Sequence, residues 1–212
     1  MSRSKMTVAG LIAALICSVA FVASASAATA GWMVNGKLLA ANETKNIALG
    51  TVVDESFILH VPLAGLEITC KGLNIQGGMI IGTNKNLEKS LAFTECTAGN
   101  GNCSIGQKEI ATVPLSSEAT LDSENTLAVN ISFTPETGTI FATIKFEGST
   151  CALLGVKAVT GSASALAPTG QDEKQVQLLS STSKSLKVGT DAAEITGSAL
   201  LELESKETWS FL

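Results

Sequence analysis

The sequence predicts an all-β fold, and three observations carry that prediction. No segment beyond the first 27 residues holds an apolar period of 3.6 for more than about two turns. Short stretches of alternating apolar and polar residues recur at a spacing of about 8–12 residues. Asn, Gly, Pro and Ser separate them, as turn residues do. The architecture expected from this pattern is an antiparallel β-sandwich, with a closed or partly open β-barrel as the alternative.

The N-terminus reads as a helical signal peptide that is cleaved. Ser2-Arg3-Ser4-Lys5 is a basic start, Val8 to Val22 is apolar, and Ala25-Ser26-Ala27 fits the A-x-A cleavage pattern, with Ala28-Thr29-Ala30 as a second cut. Cys17 follows Ile16 rather than the small residue that precedes a lipidated cysteine, so lipidation is not expected. No other segment approaches the roughly 18 apolar residues of a transmembrane helix, so no membrane span is expected after cleavage. With residues 1–27 removed, the 212-residue chain leaves 185 residues, 28–212, enough for one domain with a sizeable core.

The first mature segment, Gly31 to Leu39, predicts two short strands around an Asn35-Gly36 hairpin turn. Phe57 to Leu63 alternates and predicts a strand with Pro62 near its end. Leu66, Ile68 and Cys70 share one strand face, with Glu67, Thr69 and Lys71 on the other, which places the Cys70 sulfur in the core. Gly77-Gly78 precedes a Met79-Ile80-Ile81 strand, and a polar turn at Asn84-Lys85-Asn86 leads into a strand from Ser90 to Cys96. Ile105 to Leu115 predicts a strand ending near Pro114. Asn125 to Phe146 predicts an antiparallel hairpin around Pro135-Glu136-Thr137-Gly138, burying Leu127, Val129, Ile131 and Phe133 with Ile140, Ala142, Ile144 and Phe146. An apolar strand follows from Ala152 to Val159, then a Gly/Ser/Ala-rich stretch to Leu166 and a polar loop from Pro168 to Lys174. Val176–Leu179, Leu186–Val188 and Ile195–Leu203 complete the strand set before the terminal Trp209-Ser210-Phe211-Leu212.

Removal of Cys17 leaves Cys70, Cys96, Cys103 and Cys151, an even number in an exported chain, which predicts two disulfides. Four cysteines allow three connectivities, and spacing alone does not choose among them. The pairing favoured is Cys96–Cys103, closing a Gly/Asn-rich loop, with Cys70–Cys151 joining distant strands. The C-x6-C spacing without a nearby histidine does not match a structural zinc site.

Composition weighs against several function classes. The 14 cations less Arg3 and Lys5 leave 12 lysines against 19 acids, a mature charge of −7 with no arginine. Nucleic-acid recognition rests on clustered cations and bidentate arginine, so no nucleic-acid partner is expected. Phosphate and carboxylate substrates lose their usual clamp for the same reason. Tyrosine is absent and aromatics are 4% of the chain, which disfavours a carbohydrate-stacking surface.

Candidate chemistry is sparse. His60, the one histidine, sits in a strand pattern and reads as an ordinary strand residue. Ser181-Thr182-Ser183-Lys184 matches S-x-x-K, yet its flanks read as strands and the S-D-N and K-T-G partners are missing, as is G-x-S-x-G. Glu202, Glu204 and Glu207 could be read as a glycosidase pair or calcium ligands, but Leu201 and Leu203 on the opposite face make a solvated outer face the expectation. Asp54-Glu55 and Asp172-Glu173 fall in turns, and no D-x-D-x-D-G loop occurs. The Trp209 and Phe211 ending suggests an outer-membrane barrel, against which stand the final Leu212, the missing tyrosine girdle, the paired cysteines and the short strands.

Glu67-Ile68-Thr69-Cys70, Phe93-Thr94-Glu95-Cys96, Cys103, Ile110-Ala111-Thr112-Val113-Pro114-Leu115, Cys151 and Gly197-Ser198-Ala199-Leu200-Leu201-Glu202-Leu203 together resemble a group of uncharacterised exported bacterial proteins known best from actinobacteria. The resemblance spans nearly the whole mature chain. It implies a secreted β-rich domain and carries no activity, catalytic residue or cofactor. The expected function is therefore a non-enzymatic, exported β-domain with a structural or interaction role and an extracellular or cell-surface partner. The alternatives are a secreted carboxylate-dependent, glycan-acting enzyme and a small-ligand-binding β-barrel.

Overall fold

The computed structural model of the protein describes residues 31–83, 85–99, 102–122, 128–169 and 174–212. The segment expected to be a signal peptide, with Cys17, and also Asp172-Glu173 and Leu127, lie outside the described residues. In chain order the strands are β1 (Trp32–Val34), β2 (Lys37–Leu38), β3 (Thr44–Thr51), β4 (Phe57–Val61), β5 (Leu66–Cys70), β6 (Gly72–Gln76), β7 (Gly78–Ile81), β8 (Lys85–Glu88), β9 (Ser90–Thr94) and β10 (Thr97–Ala98). They continue as β11 (Ser104–Ile105), β12 (Ile110–Ala111), β13 (Leu115–Leu121), β14 (Ala128–Pro135), β15 (Ile140–Glu147), β16 (Gly155–Gly161), β17 (Ala163–Pro168), β18 (Val176–Val188), β19 (Asp191–Leu203) and β20 (Trp209–Phe211). Among the described residues the one helical piece is a 3-10 turn, Pro62–Ala64.

The all-β antiparallel expectation holds, and the architecture is the barrel. Starting at β19, the ladder runs through β3, β7, β8, β13, β14, β17 and β18 and returns to β19, closing a ring of eight antiparallel strands. Closure removes the open edges that a sandwich keeps. Most inward positions are apolar: Ile47, Ile80, Ala119, Val129, Ile131, Leu179, Leu201 and Leu203 are all buried in one cluster.

The β18–β19 hairpin has 13 residues in each strand because it serves two walls. Near the hairpin's open end β18 is flanked by β17 and β19 by β3. Near its turn the neighbours are β16 and β4 instead. A bulge between Ser183 and Leu186 marks the changeover. On the other side of the fork the chain passes from β16 to β17 through Gly161, whose φ of +105° suits glycine. A Cβ there would lie 2.2 Å from the Ser185 carbonyl oxygen.

Beyond the fork, β4–β5–β10 and β16–β15–β11 curve around a second core that also takes Leu73, Leu91, Phe93 and Ile110 from the small sheet β12–β9–β6. The barrel's other end is covered by the sheet β2–β1–β20. Its β1–β2 turn is the predicted Asn35-Gly36 turn, with φ of 49° and 74° as a type I′ hairpin demands. Trp32 meets Phe211 edge-on at 5.0 Å between ring centroids and Trp209 at 5.7 Å, forming an aromatic lid over the cluster.

Three expectations are corrected. β14 and β15 exist, with Val129 and Ile131 and Ala142, Ile144 and Phe146 buried as predicted and Phe133 half-buried, but Ile140 is exposed, ahead of a bulge that buries Phe141 instead. The two strands do not pair: β14 lies between β13 and β17, and β15 between β16 and β11. The link from Glu136 to Thr139 therefore connects two cores instead of closing a hairpin. Pro114 precedes a strand rather than ending one, since β13 starts at Leu115 and supplies a barrel wall. The disulfides are Cys70–Cys96 and Cys103–Cys151, not Cys96–Cys103 and Cys70–Cys151. Pairing of Thr97 with Thr69 brings Cys96 across from Cys70, and pairing of Ser104 with Glu147 carries Cys103 toward Cys151. Both bonds are buried in the second core. Such bonds belong to proteins of oxidising compartments, and no described helix is long and apolar enough to cross a membrane.

Candidate functional site

The most unusual chemistry of the molecule lies inside the barrel. β8 has its pattern inverted: Asn86 and Glu88 point into the lumen and are buried, while Lys85 and Leu87 face outward. The register forces this. Asn86 is opposite Ile80 on β7 and Ser117 on β13, so it shares their inward face. Asn86 Nδ2 donates to Ser117 Oγ at 3.0 Å, and the Ser117 hydroxyl donates to Glu88 Oε1 at 2.8 Å.

Burial pushes the Glu88 carboxyl up from 4.5 to about 7. The Ser117 hydrogen bond opposes that rise, and the charge of Glu136 adds to it. Glu88 Oε2, Asn86 Oδ1 and Trp32 Nε1 are buried without a hydrogen-bond partner. Trp32, Asn86 and Glu88 all line one cavity of about 20 Å³. A perturbed carboxyl beside unpaired polar atoms in a cavity is where a site is to be sought.

Two further cavities continue from this one into the second core. One of about 60 Å³ shares Leu49, Phe133 and Leu179 with it, and the next, of about 40 Å³, shares Phe57, Phe93, Phe141 and Ile195 with that. These spaces fall well short of the several hundred Å³ that drug-sized ligands occupy. A larger concave feature, about 570 Å³, is an open cleft at the fork whose polar side chains include Thr139, Thr160, Ser162, Ser185 and Lys187.

The residues singled out from the sequence do not converge. His60 lies half exposed on β4, its Nδ1 3.4 Å from Glu194, which also meets Lys184 at 3.7 Å. Ser181 turns inward and donates to the Ser164 carbonyl, whereas Lys184 reaches out to solvent, so the S-x-x-K pair is split across the sheet. Glu202 pairs with Lys206, Glu204 accepts from Asn46, and Glu207 accepts from Lys45, Ser205 and Asn35. Those contacts, Lys45 first, hold Glu207 below the usual carboxylate range. Asp54 sits at the β3–β4 turn with a φ of 63°. No group of three or more His, Cys, Asp or Glu among the described residues is placed to hold a metal ion. Cys70, Cys96, Cys103 and Cys151 are all consumed in disulfides. Sequence reading missed Asn86, Glu88, Ser117 and Trp32. Asn86, expected in a polar turn with Asn84 and Lys85, is instead part of strand β8, and the legible signal was the alternation Asn86-Leu87-Glu88.

The outer face of the barrel carries a second feature. Leu166 on β17 and Val176 and Leu178 on β18 are 40%, 40% and 44% exposed, and Leu178 stands opposite Leu200 on β19. Leu166 is opposite Ser180, one step diagonally from Leu178. Apolar inward faces with outward Ser, Thr, Glu and Lys elsewhere are the reverse of a lipid-facing barrel.

Comparison of the chain with protein-family models, with curated proteins and with solved structures finds no match.

Proposed function

We propose that the protein is exported by its N-terminal signal peptide and works outside the cell or at its surface as a non-enzymatic β-domain, through structure and interaction. The observation that carries this reading is the apolar band of exposed Leu166, Val176 and Leu178 with half-buried Leu200, bordered by Glu202, on the outside of a closed ring. Contiguous exposed apolar side chains mark interaction surfaces in proteins that otherwise bury them. Two disulfides and the closed ladder support a rigid presenting body suited to an oxidising exterior.

A photoreactive residue placed at Leu178 in the exported protein tests the reading, with the same residue at Glu118 on the outer face of β13 as control. The expected result is a discrete cross-linked product on producing cells from position 178 only. Absence of a product, or equal labelling from both positions, defeats the interaction role. A hydrolase activity abolished by replacing one carboxylate, such as Glu194→Gln, defeats the non-enzymatic one.

A further inference from the structure

We propose that the cavity bounded by Trp32, Asn86 and Glu88 is a binding site for one small, neutral, amphoteric molecule, an internal water, which ties the aromatic lid to the barrel wall. The cavity measures about 20 Å³, and about 10–15 Å³ suffices for one water. Three of its lining residues each carry one buried atom without a partner: Trp32 Nε1, Asn86 Oδ1 and Glu88 Oε2. Internal waters characteristically make about three hydrogen bonds to such groups.

The donor and acceptor roles are set by the chain of bonds next to the cavity. Ser117 has a single hydroxyl proton, and it is directed at Glu88 Oε1. Ser117 can therefore only accept from Asn86, so Asn86 presents Nδ2 to it and leaves Oδ1, an acceptor, as its unpaired atom. The indole Nε1 of Trp32 is a donor only. The occupant must accept from Trp32 and donate to Asn86. Toward Glu88 Oε2 it must donate when the carboxyl is ionised and accept when it is protonated. Water has two donors and two lone pairs and meets both cases. Ammonium or a metal ion has no lone pair to offer the Trp32 N–H, so a cation leaves that donor unpaired.

The three atoms belong to two different parts of the fold. Trp32 is on β1 of the end sheet, and Asn86 and Glu88 are on β8 of the ring. A bridging water would give the lid a polar link to the wall in addition to its apolar packing.

The test is water-to-protein magnetisation transfer on the disulfide-intact, isotope-labelled protein, read at the Trp32 indole proton. The Trp209 indole, which donates to the Gln175 carbonyl, is the internal control. The expected result is a cross-peak of long-residence sign between water and the Trp32 indole proton, with none at Trp209, and a loss of at least tenfold in Glu88→Leu, where the side chain removes an acceptor. A buried Trp32 indole without that cross-peak overturns the proposal. So does a Trp32 indole shift that saturates with added ammonium, since it would make the occupant a cation. Should Glu88→Leu fail to fold, a high-resolution crystal structure decides: an oxygen about 2.7–3.2 Å from all three atoms supports the site, and direct pairing among the three overturns it.

Discussion

Replacing Glu88 with Gln should flatten the pH dependence of stability. The carboxyl titrates near 4.5 when unfolded and at about 7 in the fold, and at about 1.4 kcal/mol per pKa unit the ionised form costs the folded state about 3 kcal/mol. The sign follows from the raised value. Below pH 4.5 the group is protonated in both states and contributes no penalty. As pH rises toward 7 the unfolded chain releases its proton first, so stability falls by about 1.4 kcal/mol per pH unit, then levels off above 7. Gln keeps the shape and cannot ionise, and its amide can still meet Ser117. Urea unfolding of the two disulfide-intact proteins between pH 4 and 8 isolates this one group, because the other titrations cancel in the difference. The Gln variant should gain on the wild type by about 3 kcal/mol across that range. Parallel curves, or a divergence that starts only above pH 7, would refute the burial argument.

Three other outcomes are expected. Non-reducing peptide mapping should return the Cys70–Cys96 and Cys103–Cys151 peptides, and removing either bond as a double Ala variant should lower stability by about 3.5–4 kcal/mol, the loop-closure value for separations of 26 and 48 residues; a Cys96–Cys103 peptide would contradict the strand register. Gly161→Ala should cost about 1–3 kcal/mol in denaturant unfolding, because φ is +105° and the new Cβ meets the Ser185 carbonyl; an unchanged midpoint would show that the fork relaxes freely. Leu66→Ala in the second core, at a fully buried position, should cost about 2–5 kcal/mol by the same measurement, and a loss below 1 kcal/mol would mean that core is loosely packed.

Strand character was legible wherever alternation and turn chemistry agreed. Leu66, Ile68 and Cys70 are buried as a set, Asn35-Gly36 makes its hairpin, and Ile195, Ala199, Leu201 and Leu203 line the interior. β3 was not read, because its Lys45 and Asn46 sit among the alternating positions and weaken the apolar signal. Val176–Leu179 and Leu186–Val188 looked like two strands and are the ends of one, joined through the hydroxyl-rich waist where neighbours change. The candidate site was hidden for a sharper reason. Period two shows that Asn86 and Glu88 share a face but not that this face is the inner one; pairing with Ile80 and Ser117 decides it.

By itself the sequence determined the β class, the Asn35-Gly36 hairpin turn and most of the residues able to alternate into a core, because these depend on local sterics and on a two-residue period. Only the tertiary structure decided closure of the ring, the partners of β14 and β15, the disulfide connectivity and the burial of Glu88. Each of those depends on which distant strands lie side by side, and a repeat of two residues reads the same whichever neighbour the strand takes.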